Sequence, residues 1–199
     1  MLRIGITGNI ATGKTEVSGI LKEMGIPVVS ADELVRGMQE PGNVVWALMR
    51  EALSSDFFSE DGTLMRKRVA MRMIGDADFR IKIESLIHPV VKQEIVKIFD
   101  VWESEEIDIA AAEVPLLYEV GWEEYFSKII VTRVSREIQI SRIVNKRGLD
   151  EDAAGMWVDM QMDQDAKAVR ADEVVDTDCD RRSLRKEIEK IMERLKEDS

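Results

Sequence analysis

The stretch Leu2-Arg3-Ile4-Gly5-Ile6-Thr7-Gly8-Asn9-Ile10-Ala11-Thr12-Gly13-Lys14-Thr15 decides the fold class. Its first six residues form an apolar run that fits a buried strand, and Val17, Ile20, Leu21 and Met24 then recur at helical spacing. Between strand and helix, Gly8 to Thr15 follows the pattern Gly, four residues, Gly-Lys-Ser/Thr, which forms a phosphate-binding loop. In such a loop the backbone N–H groups of Ala11 to Thr15 converge on phosphate oxygens at the positive end of the helix. Gly8 and Gly13 permit the turn and the close approach. Lys14 reaches the β- and γ-phosphates as a point charge, and the Thr15 hydroxyl ligates Mg²⁺. The expected nucleotide-binding residues are Gly8, Ala11, Thr12, Gly13, Lys14, Thr15 and Glu16, with Thr15 as the metal ligand. The motif specifies phosphate binding, but it does not separate a kinase from a GTPase, a motor or a switch.

Working outward, Gly25 and Pro27 stop the first helix before a second apolar run at Ile26 to Val29, which completes a βαβ unit. Further runs at Ile107 to Ala112, Ile129 to Thr132 and Glu173 to Val175 bring the expectation to an α/β fold. Its centre is a five-stranded parallel sheet flanked by helices, with ligands beyond the carboxyl ends of the strands. Residues 32–106 contain no comparable strand and show three helical stripes, Val45/Leu48/Met49/Ala52, Phe79/Ile83/Leu86/Ile87 and Val91/Ile95/Ile98/Phe99/Trp102. They read as a helical insertion into a core made of 1–31 and 107–199. Leu184, Ile188, Ile191 and Leu195 mark an amphipathic C-terminal helix on the sheet.

At 199 residues, with 45% hydrophobic and 34% charged, the chain can bury a substantial core as one domain with an inserted lobe. A formal charge of −11 disfavours nucleic acid and anionic membrane surfaces, and no apolar run reaches the roughly 20 residues of a membrane span. Cys179 has no second cysteine to pair with, and Met1 leads straight into the first strand without a signal-like segment, so a cytoplasmic location is expected. No protein partner is implied.

A GTPase would carry Asn-Lys-x-Asp after a later strand. The nearest string, Asn145-Lys146-Arg147-Gly148, lacks the acid, which favours ATP and a small-molecule kinase. Asp32 follows the second strand at its carboxyl end, where it can take a proton from an acceptor hydroxyl or cap the next helix; position alone leaves the two level. Glu113 closes the third strand, either near Mg²⁺ through water or as a solvated strand end. Between Arg133 and Arg147 stand five basic residues against one acid, Glu137. Such a stretch is either a clamp for a transferring phosphoryl group or a solvated helix face; its contrast with the acidic chain tips the reading toward the clamp.

The chain resembles the dephospho-coenzyme A kinase family along nearly its whole length. Beyond the loop, the resemblance rests on Ser30-Ala31-Asp32, Pro41-Gly42, Asp61-Gly62-Thr63-Leu64-Met65-Arg66, Glu84 with His88-Pro89, and Pro115-Leu116-Leu117-Tyr118-Glu119. It extends through Gln139 with Arg142, and from Gln161 by way of Lys167 to Ala171-Asp172. It implies transfer of the γ-phosphate of ATP to the 3′-hydroxyl of dephospho-coenzyme A, with ATP as co-substrate and Mg²⁺ as cofactor. The expected catalytic residues are Asp32 as base, Lys14, and Arg142 facing the phosphates from the base of a lid. Residues 32–106 would be the acceptor-binding domain and 148–161 the lid. The runners-up are a nucleoside or nucleotide kinase of the same fold, and a regulatory nucleotide-binding module with weak transfer.

Several positions depart from the family pattern. Asn9 and Thr12 stand for glycine and serine, Ser30 and Glu113 for aspartates, Lys146 and Trp157 for arginines, and Thr177 for an asparagine near the adenine pocket. His88, the only histidine, is either an acceptor contact or a helix-start residue before Pro89. Arg66 and Glu84 are either a structural pair or part of the acceptor site.

Overall fold

The computed structural model describes residues 1–148 and 150–197; Leu149, within the expected lid, and the side chain of Arg147, within the basic stretch, lie outside the described residues. Among the described residues, five strands make one parallel sheet in the order β2-β3-β1-β4-β5. They are β1 (Leu2–Thr7), β2 (Val28–Ser30), β3 (Ile109–Glu113), β4 (Lys128–Arg133) and β5 (Glu173–Asp176). The central β1 sets Ile6 opposite Glu113 of β3 on one side and Ile130 of β4 on the other. The loop after Thr7 therefore leaves the sheet between the carboxyl ends of β3 and β4.

Two strands begin later than their apolar runs suggest, for local reasons. Ile26 still belongs to the end of α1 (Lys14–Glu23), because its N–H reaches Leu21 O at 3.0 Å, and Pro27 has no N–H to give a ladder. At the other site, Ile107 N–H closes a helix end on Trp102 O at 3.0 Å, with Glu106 at a φ of +59°.

The chain divides into two compact units, one of residues 1–30 and 99–199, the other of 31–98. The second unit is helical: α2 (Ala31–Met38), α3 (Val44–Ala52), α4 (Arg66–Gly75) and the main part of α5 (Ala77–Ser104). Its core joins Val45 and Met49 of α3 to Phe58, Leu64, Val69 and Ile83. The string Asp61-Gly62-Thr63 makes a turn in which the Asp61 carboxylate accepts from Ser59 Oγ at 2.6 Å and Thr63 N–H at 3.0 Å. Those two donors hold the Asp61 carboxyl below the usual carboxylate range.

The stripes around Phe79 and Val91 belong to a single helix that runs through Pro89. This corrects the helix-start reading of His88, which lies inside α5. Burial pushes its imidazole below the ordinary value of 6.5, with Glu84 one turn earlier opposing.

In the first unit the sheet is covered by α1 and by α9 (Arg181–Glu197). Val17, Ile20 and Leu21 meet Leu184, Ile188, Ile191 and Leu195 around Ile4, Ile6 and Ile130 in one buried cluster. Between β4 and β5 lie α6 (Arg136–Arg147), α7 (Glu151–Asp159) and α8 (Gln164–Val169). Their N-termini are set by Ser135, Asp150 and Asp163, each accepting from a first-turn backbone N–H. Ala154 and Val158 of α7 pack with Ile143 of α6, and Ile10 and Ala11 of the loop pack against the same cluster. No described helix is long and apolar enough to cross a membrane.

Candidate functional site

The loop after β1 has the backbone that its glycines allow. Gly8 and Gly13 have φ of +144° and +88°, and a Cβ at Gly8 would come within 2.5 Å of Thr132 O. Ala11 also has a positive φ, +61°, so the loop carries strain at a residue with a side chain. Lys14, 8% exposed, extends its ammonium back across the loop to Gly8 O and Asn9 O, both at 2.8 Å. Its charge thus already lies within the loop, under the mouth formed by the first turn of α1.

Thr15 Oγ1 donates to Glu113 Oε1 at 3.1 Å, and Ser18 Oγ one turn later donates to Glu113 Oε2 at 2.8 Å. Glu113 is therefore a buried carboxylate, 7% exposed and held by two hydroxyls, and not a solvated strand end. With its hydrogen committed to Glu113, the Thr15 oxygen keeps its lone pairs for a cation. The donors here are all oxygen, which suits Mg²⁺. Among the described residues no cluster of three His, Cys, Asp or Glu could hold a metal. An ion at Thr15 would complete its shell from phosphate and water, as Mg²⁺ commonly does.

Behind the loop, Thr12 Oγ1 and Thr132 Oγ1 are 2.7 Å apart, and Thr132 Oγ1 donates to Thr7 O at 3.3 Å, tying the loop to the end of β4. At its tip, Ile10 N–H meets Gln161 Oε1 at 2.6 Å, and Asn9 Nδ2 meets Met162 O at 2.9 Å. The strings Pro115 to Glu119 and Gln161 to Lys167 converge as well. The fully buried ammonium of Lys167 is 2.7 Å from Glu119 Oε1 and 3.3 Å from Pro115 O, which also accepts from Thr7 Oγ1 at 3.1 Å.

Three arginines of the basic stretch, Arg133, Arg136 and Arg142, are engaged locally. Arg136 forms a two-pronged pair with Asp159 of α7, and Arg133 pairs with Asp165 at 3.8 Å. Arg142 lies against the loop: Nη1 is 3.2 Å from Ala11 O and 3.1 Å from Thr177 Oγ1, and Nη2 is 2.9 Å from Thr177 O. Lys146 is exposed. Glu16 is exposed and pairs with Arg181 of α9.

In the helical unit, Asp32 is exposed in the first turn of α2, two residues past the end of β2. It lies inside the helix and not before it, and among the described residues its carboxylate accepts no backbone hydrogen bond of a cap. Arg66 reaches Glu40 at 3.3 Å and Arg36 O at 3.2 Å.

Sequence reasoning singled out neither Ser18 nor Thr132. Each leaves a faint trace, a hydroxyl within the buried stripe of α1 and a hydroxyl at the end of an apolar strand. Gln139, Gln161 and Lys167 appeared as matched letters only, without a role.

A family model described as dephospho-CoA kinase matches residues 2–183. The dephospho-CoA kinase of Syntrophotalea carbinolica is 31% identical over 195 residues, covering 98% of this chain and 92% of its own. That of Shouchella clausii is 34% identical over 175 residues, covering 88% and 89%. A solved structure from Thermus thermophilus aligns with a TM-score of 0.78 at 25% identity, covering 98% of this chain and 97% of its own. With a phosphate loop of this geometry at the head of the sheet and a family match spanning almost all of the sequence, the chain belongs to the dephospho-CoA kinase family.

Proposed function

We propose that this chain transfers the γ-phosphate of ATP to the 3′-hydroxyl of dephospho-coenzyme A, giving coenzyme A, and does so by holding the reactants and balancing charge. The observation that carries this reading is the Lys14 ammonium, buried and already hydrogen-bonded inside a loop whose first-turn N–H groups open at the sheet edge.

Phosphoryl transfer asks for little covalent chemistry from a protein, so orientation and electrostatics supply the rate. Backbone N–H groups of the loop and Lys14 bind the phosphates, and Arg142 adds positive charge beside the loop. The Thr15 hydroxyl, oriented by Glu113, is the protein ligand we assign to Mg²⁺. Held there, the ion would supply positive charge to offset the charge of the phosphate oxygens during transfer.

We assign Asp32 to orient or deprotonate the acceptor hydroxyl. Its exposure, and the absence of a capping bond to it among the described residues, leave the carboxylate available to an acceptor hydroxyl. Residues 32–106 are the part we assign to acceptor binding, and 148–161 to a lid that excludes water from the reacting phosphate. A reaction drawing on ATP, in a chain with one cysteine, fits a cytoplasmic location.

The test is Lys14→Ala. Wild type turns over Mg-ATP and dephospho-coenzyme A, and the variant does not; near-normal turnover by the variant would remove the ATP-site assignment.

A further inference from the structure

Three successive carbonyls of the phosphate loop are each gripped by a side chain from outside it. Gln139 Nε2 donates to Ile10 O at 2.6 Å, Arg142 Nη1 to Ala11 O at 3.2 Å, and Thr177 Oγ1 to Thr12 O at 2.8 Å. Gln139 and Arg142 project from α6, one turn apart, and Thr177 follows β5 directly.

In a planar trans peptide the C=O and the next N–H point in opposite directions. Drawing the carbonyls of Ile10, Ala11 and Thr12 outward therefore turns the N–H groups of Ala11, Thr12 and Gly13 toward the inside of the loop. Of the three, Thr12 N–H also makes a long turn bond to Asn9 O at 3.3 Å, the carbonyl that Lys14 holds, and a phosphate oxygen would have to take that carbonyl's place. The conformation needs a restraint, because positive φ at Ala11 is unfavourable for a residue with a Cβ.

The gripping groups are themselves fixed. Gln139 is fully buried, its Oε1 accepts from Gln164 Nε2 at 3.2 Å, and Gln164 Oε1 accepts from Val134 N–H at 3.3 Å. Thr177 is 4% exposed, and its hydroxyl accepts from Arg142 while donating to Thr12 O.

We propose that Gln139, Arg142 and Thr177 act as a rack that presets the phosphate loop, with three outward-held carbonyls aiming three N–H groups at a polyphosphate. They are positioning residues, and Thr177 acts through the loop and not by reading the base. The inference rests on the loop being the ATP site. Preset donors bind without the cost of reorganising, so loss of one grip appears first as weaker phosphate affinity.

The experiment measures ADP binding by calorimetry and inorganic tripolyphosphate by competition, for wild type, Thr177→Val, Thr177→Ser, Gln139→Met and Lys14→Ala. Thr177→Val keeps the shape and loses the donor; it weakens both ligands by the same factor, about three- to tenfold, the worth of one hydrogen bond. Thr177→Ser restores affinity, Gln139→Met repeats the loss, and the KM for dephospho-coenzyme A stays at the wild-type value in Thr177→Val. The rack is overturned if Thr177→Val binds ADP as wild type does, if the loss appears with ADP but not tripolyphosphate, or if the acceptor KM rises in proportion. Lys14→Ala separates the two claims. If it too keeps ADP affinity, the ATP site falls and the rack with it; if it alone loses affinity, only the rack falls.

Discussion

Gly13→Ala and Gly19→Ala, six residues apart, should change stability in opposite directions. Gly13 has a φ of +88°, where a Cβ costs about 1–2 kcal/mol. That Cβ would also lie 2.7 Å from Thr177 Oγ1, 2.9 Å from its Cβ and 3.0 Å from its Cγ2. Thr177 cannot swing aside without releasing Thr12 O and Arg142, so the overlap adds an overpacking cost of about 1–3 kcal/mol. The sum is about 2–5 kcal/mol, or a fall in Tm of roughly 4–20 °C for a chain of this size. Gly19 lies within α1, and nothing stands within 4 Å of its added Cβ. Alanine there gains about 0.5–1 kcal/mol in helix propensity, raising Tm by roughly 1–4 °C. Thermal unfolding of both variants beside wild type is the assay. A Gly13→Ala protein within about 2 °C of wild type would refute the packing described around Thr177.

Asp32→Asn should lower kcat by roughly 100-fold or more while ADP affinity holds, the scale of a lost general base; equal losses in binding and turnover would contradict the assignment. Glu173 receives two hydrogen bonds from Arg194 at 2.8 Å, which hold its carboxyl below the ordinary range. A depressed carboxyl stabilises the fold above its unfolded pKa of 4.5, and that contribution is lost as pH falls through the folded value. Glu173→Gln should therefore cost at most about 1 kcal/mol near pH 7, because the pair is near the surface, and nothing once both states are protonated. Denaturant midpoints that differ equally at neutral and acid pH would refute this. His88, the only histidine, gives one imidazole signal by NMR, and its midpoint should fall below 6.5. Because folding favours the neutral form, its contribution is full above 6.5 and is lost as pH falls toward the folded midpoint; a midpoint above 6.5 would refute the burial argument.

The sheet was legible because its strands coincide with short apolar runs, though β2 and β3 start two residues inside theirs, and the loop because its glycines, lysine and threonine must stand at fixed intervals to surround a phosphate. The helical unit was less so. In α4, Val69 is the one buried residue of a helix rich in arginine and lysine, so almost no stripe reaches the sequence. Pro89 looked like a boundary, yet α5 continues through it, with Ile83 buried before it and Val91 and Ile95 buried after it. The site showed the same division. Lys14 and Thr15 announce themselves by spacing, whereas the partners of Glu113, Ser18 and Thr15, come together only when α1 packs beside the end of β3. The basic stretch was legible only as a charge excess: that Arg136 pairs with Asp159, Arg133 with Asp165 and Arg142 with a loop carbonyl are contacts that no charge count can show.

The central claim is the reaction, and the most direct measurement is acceptor-dependent release of ADP from Mg-ATP with the product weighed and its phosphate located. The account predicts ADP formation only when dephospho-coenzyme A is present, with one phosphate gained at the 3′-hydroxyl. ATP that binds but yields no phosphorylated acceptor, or a phosphate found elsewhere on the molecule, would contradict it.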